Sequence, residues 1–188
     1  KKRCAIMLRY FPIFFLFFFI SFSNAEVKNK IIQNLEDTDN VDFAFEQNIN
    51  GKIEKGSCTL EYPKKIFCKY IASNNKILVS NGKSLVIKTN TSFYRYPLEK
   101  TALNLILDKN FLIDKIYNIT ETVVDKNLIN FKISEKDNEL SVFFDNKTFE
   151  LIGWQNIDLY QNFNITFLSP ISKNRILPKN LFKLPVQN

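Results

Sequence analysis

The spacing of apolar positions changes several times along the chain. Residues 11–20 form an apolar run broken only by Pro12, and Lys1, Lys2, Arg3 and Arg9 precede it. Over residues 27–38, Val27, Ile31, Ile32 and Leu35 fall on one stripe while Lys28, Lys30, Glu36 and Asp37 lie away from it, which predicts a helix. The period then becomes two: Val41, Phe43, Phe45 and Ile49 alternate with Asp42, Ala44, Glu46 and Asn48, as in a strand with one buried face. Asn50-Gly51 is a two-residue hairpin signal, and Asn81-Gly82 repeats it between strands expected at 76–80 and 84–88. Further strands are predicted at 92–96, 116–124, 128–133, 139–144, 149–159 and 163–168, with polar breaks such as Asp125-Lys126-Asn127 and Asp145-Asn146-Lys147 between them.

One helical segment interrupts the series. Pro97 suits a first helical turn, and Leu98, Ala102, Leu105 and Ile106 make an apolar stripe over residues 97–107. About ten or eleven short strands with two amphipathic helices predict a mainly β fold with α elements. Its antiparallel sheet curls on itself, and the helices cover its apolar face.

The N-terminal pattern changes where this domain begins. A basic stretch, a short apolar run and a small-x-small Ser23-Asn24-Ala25 sequence predict a secretory signal peptide over residues 1–25, leaving a single domain over residues 26–188. The apolar run is about half the ~20 residues a membrane-spanning helix needs, so cleavage is expected instead of anchoring. Cys4 precedes the apolar run and is not placed as a lipoprotein acylation cysteine. The formal net charge is +7, but residues 1–25 hold four basic residues and no acid, so the remainder carries only +3. Its mixed signs argue against a nucleic-acid partner. With no His and only four Gly, imidazole chemistry and phosphate-cradling glycine loops are excluded. No catalytic constellation, metal site or cofactor site emerges, and the chain is not expected to be an enzyme.

Export allows a disulfide to persist. If Tyr62-Pro63-Lys64 reverses a hairpin, Cys58 and Cys68 lie directly opposite each other, at a separation a disulfide accepts. The alternative is two separate buried thiols. The apolar phase is rich in Phe, with Phe43, Phe45, Phe131, Phe144, Phe163 and Phe167 alternating with polar or small residues. These rings fit either a packed core or a concave cavity for an apolar ligand, lined by Phe43, Phe45, Ile66, Tyr70, Phe131, Phe163 and Phe167. In the second reading no charged residue is required, Leu98, Ala102, Leu105 and Ile106 form a lid, and Tyr62 and Arg95 sit at the rim.

Several segments in order resemble the periplasmic outer-membrane lipoprotein carrier family, LolA. They are Phe45-Glu46-Gln47 after the first helix, the Gly-bearing strand with its Tyr62-Pro63 reversal, Leu78-Val79-Ser80-Asn81-Gly82-Lys83, the Pro97-Leu98-Glu99-Lys100-Thr101-Ala102 lead, and Leu181-Phe182 before Pro185. The resemblance covers nearly all of residues 27–185. Tyr62 stands where many carriers have an Arg that latches the closed lid, and Cys68 where they often have an aromatic. The resemblance implies an incomplete β-barrel that shields the acyl chains of lipoproteins in the periplasm. A monomer would take cargo from an inner-membrane ATP-driven exporter and pass it to an outer-membrane acceptor. A sensor or structural lipid-binding domain of the same fold, transferring nothing, is the alternative.

Overall fold

The computed structural model describes residues 24–119, 123–125, 127–135, 138–157 and 161–187. The secretory segment predicted over residues 1–25 falls outside them except for its last two residues. Helix α1 (Asn24–Glu36) is followed by six strands: β1 (Asn40–Ile49), β2 (Lys52–Glu61), β3 (Lys65–Tyr70), β4 (Ile77–Asn81), β5 (Ser84–Lys88) and β6 (Phe93–Pro97). A 3₁₀ turn (Leu98–Lys100), α2 (Leu103–Ile106) and α3 (Lys109–Asn118) lead to β7 (Val123–Val124), β8 (Leu128–Glu135), β9 (Asn138–Asp145), β10 (Leu151–Ile157) and β11 (Phe163–Lys173).

All eleven strands belong to one antiparallel sheet, ordered β6-β5-β4-β3-β2-β1-β11-β10-β9-β8-β7 and not closed into a barrel. Two meanders meet where the last strand returns beside the first. That junction is reinforced past the end of β11: the Asn174 Oδ1 accepts from the Asp39 N–H at 2.8 Å, the Asn40 Oδ1 accepts from the Arg175 N–H at 3.0 Å, and the Arg175 guanidinium pairs with Asp42. Burial alone would raise the Asp42 pKa, but hydrogen bonds from Arg175, Thr59 and Ser172 outweigh it and hold the carboxyl below its ordinary range.

Asn50 and Gly51 both adopt positive φ, as a two-residue hairpin requires, and the Tyr62-Pro63-Lys64 reversal sets β2 against β3 so that Cys58 faces Cys68. The pair is a disulfide, with Cα atoms 4.1 Å apart. Past β11 the chain crosses the outward face of β3–β5. Phe182 lies beside Lys65, and the Val186 carbonyl accepts from Lys88 at 2.9 Å. Val79 and Val86, which point outward, are accordingly as buried as the inward residues.

Two predicted elements differ. Residues 97–107 are not one helix: the 3₁₀ turn ends at Thr101, whose extended φ and ψ break it from the single turn of α2. Residues 116–124 are not a strand. Residues 109–118 are helical, because the Asp108 side chain caps the Phe111 N–H at 3.1 Å and Leu112 and Ile116, one turn apart, bury themselves on the sheet. Val123 and Val124 extend, and residues 120–122 of the expected strand lie outside the described residues. The β-branched residues near the end of the helix favoured a strand locally, and packing overrode that preference.

The disulfide closes a short loop, so the chain-entropy account assigns it about 2 to 3 kcal/mol. Replacing both Cys58 and Cys68 with Ser should lower the unfolding free energy by about that amount in denaturant titration. Peptide mapping without reduction should recover the two cysteine peptides joined; finding them free in oxidised protein would refute the pairing.

Candidate functional site

The concave face of the sheet has two unlike halves. Over β8 and β9 it is filled: Ile31 and Leu35 of α1 and Leu112 and Ile116 of α3 pack on Ile129, Phe131, Val142 and Phe144. Phe131 and Phe144 meet edge to face with ring centres 5.8 Å apart. Over β1–β6 the cover thins to the segment linking the 3₁₀ turn to α2, and a cavity of about 260 Å³ remains. Phe43, Phe45, Ile66 and Tyr70 line its floor. Thr101, Ala102 and Leu103 form its roof.

Gly56 lets Phe45 lie on this floor. Strands β1 and β2 place the two residues opposite each other, and a Cβ on Gly56 would sit 2.6 Å from the Phe45 ring and 2.2 Å from the Lys69 carbonyl oxygen. With that space open, the Phe45 ring reaches across β2 and meets Tyr70 edge to face at 5.0 Å.

Other expected lining residues lie elsewhere. Phe131 belongs to the filled half and is wholly buried beneath the helices. Phe163 and Phe167 are 45% and 47% exposed, on the opposite face of the sheet. In β11 the inward positions are Asn164, Thr166 and Leu168, because β11 pairs with β1 in a register that puts Thr166 beside Gln47. Phe167 stacks on Phe143 at 6.0 Å over Gly153, whose missing Cβ leaves room for both rings on the outer face.

The expected lid and rim change in the same way. Ala102 roofs the cavity, whereas Leu98 and Ile106 are fully buried core residues and Leu105 packs against the same core. Arg95 is opposite Val86 on the outward face, where its guanidinium donates to the Ser84 hydroxyl at 3.1 Å. Tyr62 lines a second, smaller cavity beneath α1, with Lys109 over its ring, and burial raises its phenol well above its ordinary pKa. The tie between the β2–β3 reversal and the lid comes from Lys64 instead. Its N–H donates to the Leu107 carbonyl at 2.8 Å, and its ammonium pairs with Asp108 at 3.1 Å.

Sequence reasoning missed two parts of the site. Leu78, Leu85 and Ile87 of β4 and β5 line the cavity, but these strands are apolar on both faces because the C-terminal segment covers the outer one, so no alternation marks them. The second part is polar. Lys76 and Gln47 line one end together with Asn156, Asn164 and Thr166. Lys76 lies 4.0 Å above the Tyr70 ring and 2.6 Å from the buried Glu54, which also pairs with Lys52 at 3.3 Å. Burial would raise the Glu54 carboxyl, but the hydrogen bond and charge of Lys76, with Lys52 behind it, hold it below its ordinary value. The Tyr70 phenol is pushed upward by burial and by the Glu54 charge. Lys76, paired with Glu54, thus lines one end of the cavity.

No group of His, Cys, Asp and Glu able to hold a metal occurs among the described residues. The cavity offers apolar surface, neutral amides and one neutralised ion pair, an arrangement suited to holding an apolar chain.

Residues 36–185 match the family described as outer membrane lipoprotein carrier protein LolA. A comparison with curated proteins gives no match. Among solved structures, a LolA superfamily protein from Nitrosomonas europaea is similar at a TM-score of 0.44 and 10% identity, over 86% of this chain and 98% of that one. LprF from Mycobacterium bovis is similar at 0.40 and 13% identity, over 81% and 96%. The MucA/MucB complex of Pseudomonas aeruginosa contains a chain similar at 0.45 and 8% identity, over 86% of this chain and 61% of that one.

Because the folded-state pKa of Glu54 is depressed, its pairing stabilises the fold above the ordinary carboxylate value of 4.5, and that contribution is lost as the pH falls through the lowered value. Glu54→Gln should therefore be less stable than the parent at pH 7, and the gap should close toward pH 3. Parallel denaturant titrations across that range would show it; a gap independent of pH would mean the pair contributes nothing.

Proposed function

We propose, because the chain belongs to the outer membrane lipoprotein carrier protein LolA family, that it binds the acyl chains of lipoproteins in the cavity over β1–β6 and carries them through an aqueous compartment. The observation that supports this reading is the half-filled concave face. An apolar cavity with a thin roof is left in a sheet whose other half is packed solid. Each methylene removed from water contributes about 0.8 kcal/mol, so even a short length of acyl chain gains enough to be held. The cavity is slightly smaller than the roughly 300 to 1,000 Å³ of drug-sized sites, so cargo must displace the roof as it enters. The roof is short and lies between the 3₁₀ turn and α2, each a single turn, which makes it the least supported cover of the sheet.

Such a roof also favours release. In this reading the roof of Thr101, Ala102 and Leu103 closes toward the apolar floor when no chain is present, and that contact offsets part of the binding energy and leaves a transferable complex. In this reading the protein works in the periplasm after removal of its signal peptide, receives acylated proteins from an inner-membrane ATP-driven exporter and delivers them to an outer-membrane acceptor. It has no catalytic role.

Protein purified from its native compartment should carry acylated polypeptide detectable by native mass spectrometry, and the empty protein should bind a fluorescent acyl probe. Ala102→Trp, which puts a large ring under the roof, should weaken probe binding about tenfold or more without lowering the melting temperature. Absence of probe binding by the parent protein would refute the carrier reading.

A further inference from the structure

The polar end of the cavity is a continuous row crossing the sheet. Asn156 of β10 pairs with Asn164 of β11, Thr166 pairs with Gln47 of β1, and Gln47 pairs with Glu54 of β2, all in the inward phase. Beyond Glu54, the row ends at Lys76. Most lining positions further from this row are apolar, including Leu78, Leu85 and Ala102.

Asn156 is the telling member. Its side chain is only 6% exposed, and the surface it keeps lines the cavity. An amide shut off from bulk solvent that faces a cavity takes its hydrogen-bond partner from whatever fills that cavity, a water or a ligand atom. The Asn164 Oδ1 is engaged at the limit of hydrogen bonding by the Thr166 hydroxyl at 3.5 Å, which leaves its NH₂ group to donate into the cavity. The nearest cation, Lys76, is already neutralised by Glu54 at 2.6 Å. The row therefore presents neutral N–H donors and no uncompensated buried positive charge. That chemistry matches the carbonyl oxygen of an ester, not a carboxylate and not bare hydrocarbon.

We infer that the Asn156–Asn164 end of the cavity docks the ester carbonyls of the bound lipid, so that the ligand enters with a fixed orientation, its ester linkage at the polar row and its chain toward Leu78, Leu85 and Ala102. This rests on the acyl-binding reading above and adds to it a head, a tail and a selectivity. The hydrophobic floor supplies most of the affinity, and the amides decide which end of the chain lies where.

The test uses three probes of equal chain length on the full protein: a long-chain fatty acyl methyl ester, the matching free acid, and the matching alkane. Each is measured by displacement of the fluorescent acyl probe. The parent protein should prefer the ester over the alkane by about tenfold, the worth of one or two hydrogen bonds. In Asn156→Leu the ester-to-alkane ratio should fall toward one. The ratio is read within one protein, so a smaller folded fraction affects both probes alike. If Asn156→Leu does not fold, Asn164→Leu supplies the same ratio. Equal binding of ester and alkane by the parent would mean that the row holds only water, and a preference that survives both substitutions would place selectivity elsewhere; either result overturns the inference and leaves acyl binding intact. Tighter binding of the free acid than of the ester would assign the row to an ionic headgroup and overturn it as well. Failure of the parent to bind any of the three refutes the acyl-binding reading itself, and the inference with it.

Discussion

The structure depends on one mismatch of areas. An eleven-stranded sheet presents a wide apolar face, and the described residues supply only two helices long enough to cover much of it. An apolar sheet face left in water loses about 25 cal/mol for every square ångström uncovered, so each available cover is used to the full. Helices α1 and α3 lie together on one half and make it a conventional core. The other half receives only a linker. Its cavity follows from too little helix over too much sheet, and no separate binding element is needed to form it.

The cysteine bridge sits where that shortage is greatest. Cys58 and Cys68 both face the cavity, so the bridge replaces two side chains that would otherwise have had to pack there. Floors of binding sites are less well packed than cores, and a covalent link between β2 and β3 stiffens the floor without filling it. The Lys64 contacts to Leu107 and Asp108 do the same for the roof, joining the reversal beyond that bridge to the joint between α2 and α3.

Much of this was legible from residue spacing, and the failures share a cause. Where a residue's neighbours are close in sequence the reading gave the Asn50-Gly51 turn and the cysteine register, although the helix expected over 97–107 is broken at the extended Thr101. In β11 both phases carry apolar side chains, Phe163 and Phe167 on one and Leu168 on the other. The choice between them was made by Gly153 and Phe143, residues of β9 and β10 that no window on β11 contains. The same holds for Val79 and Val86, whose burial comes from a segment about 100 residues away, and for α3, whose strand-like residues became helical once Leu112 and Ile116 had a sheet to cover. The polar row was hidden because Asn and Thr inside a strand read as the solvent phase.

A sheet that stops short of closure also leaves two margins, and a margin is a template on which another chain could add a strand. Here both are poor templates. At one end β7 has, among the described residues, only Val123 and Val124, too few to hold a partner in register. At the other, β6 ends at Pro97, which has no N–H to donate, and projects the charged Arg95 outward. The fold can therefore keep the gap in its barrel without offering either edge for polymerisation.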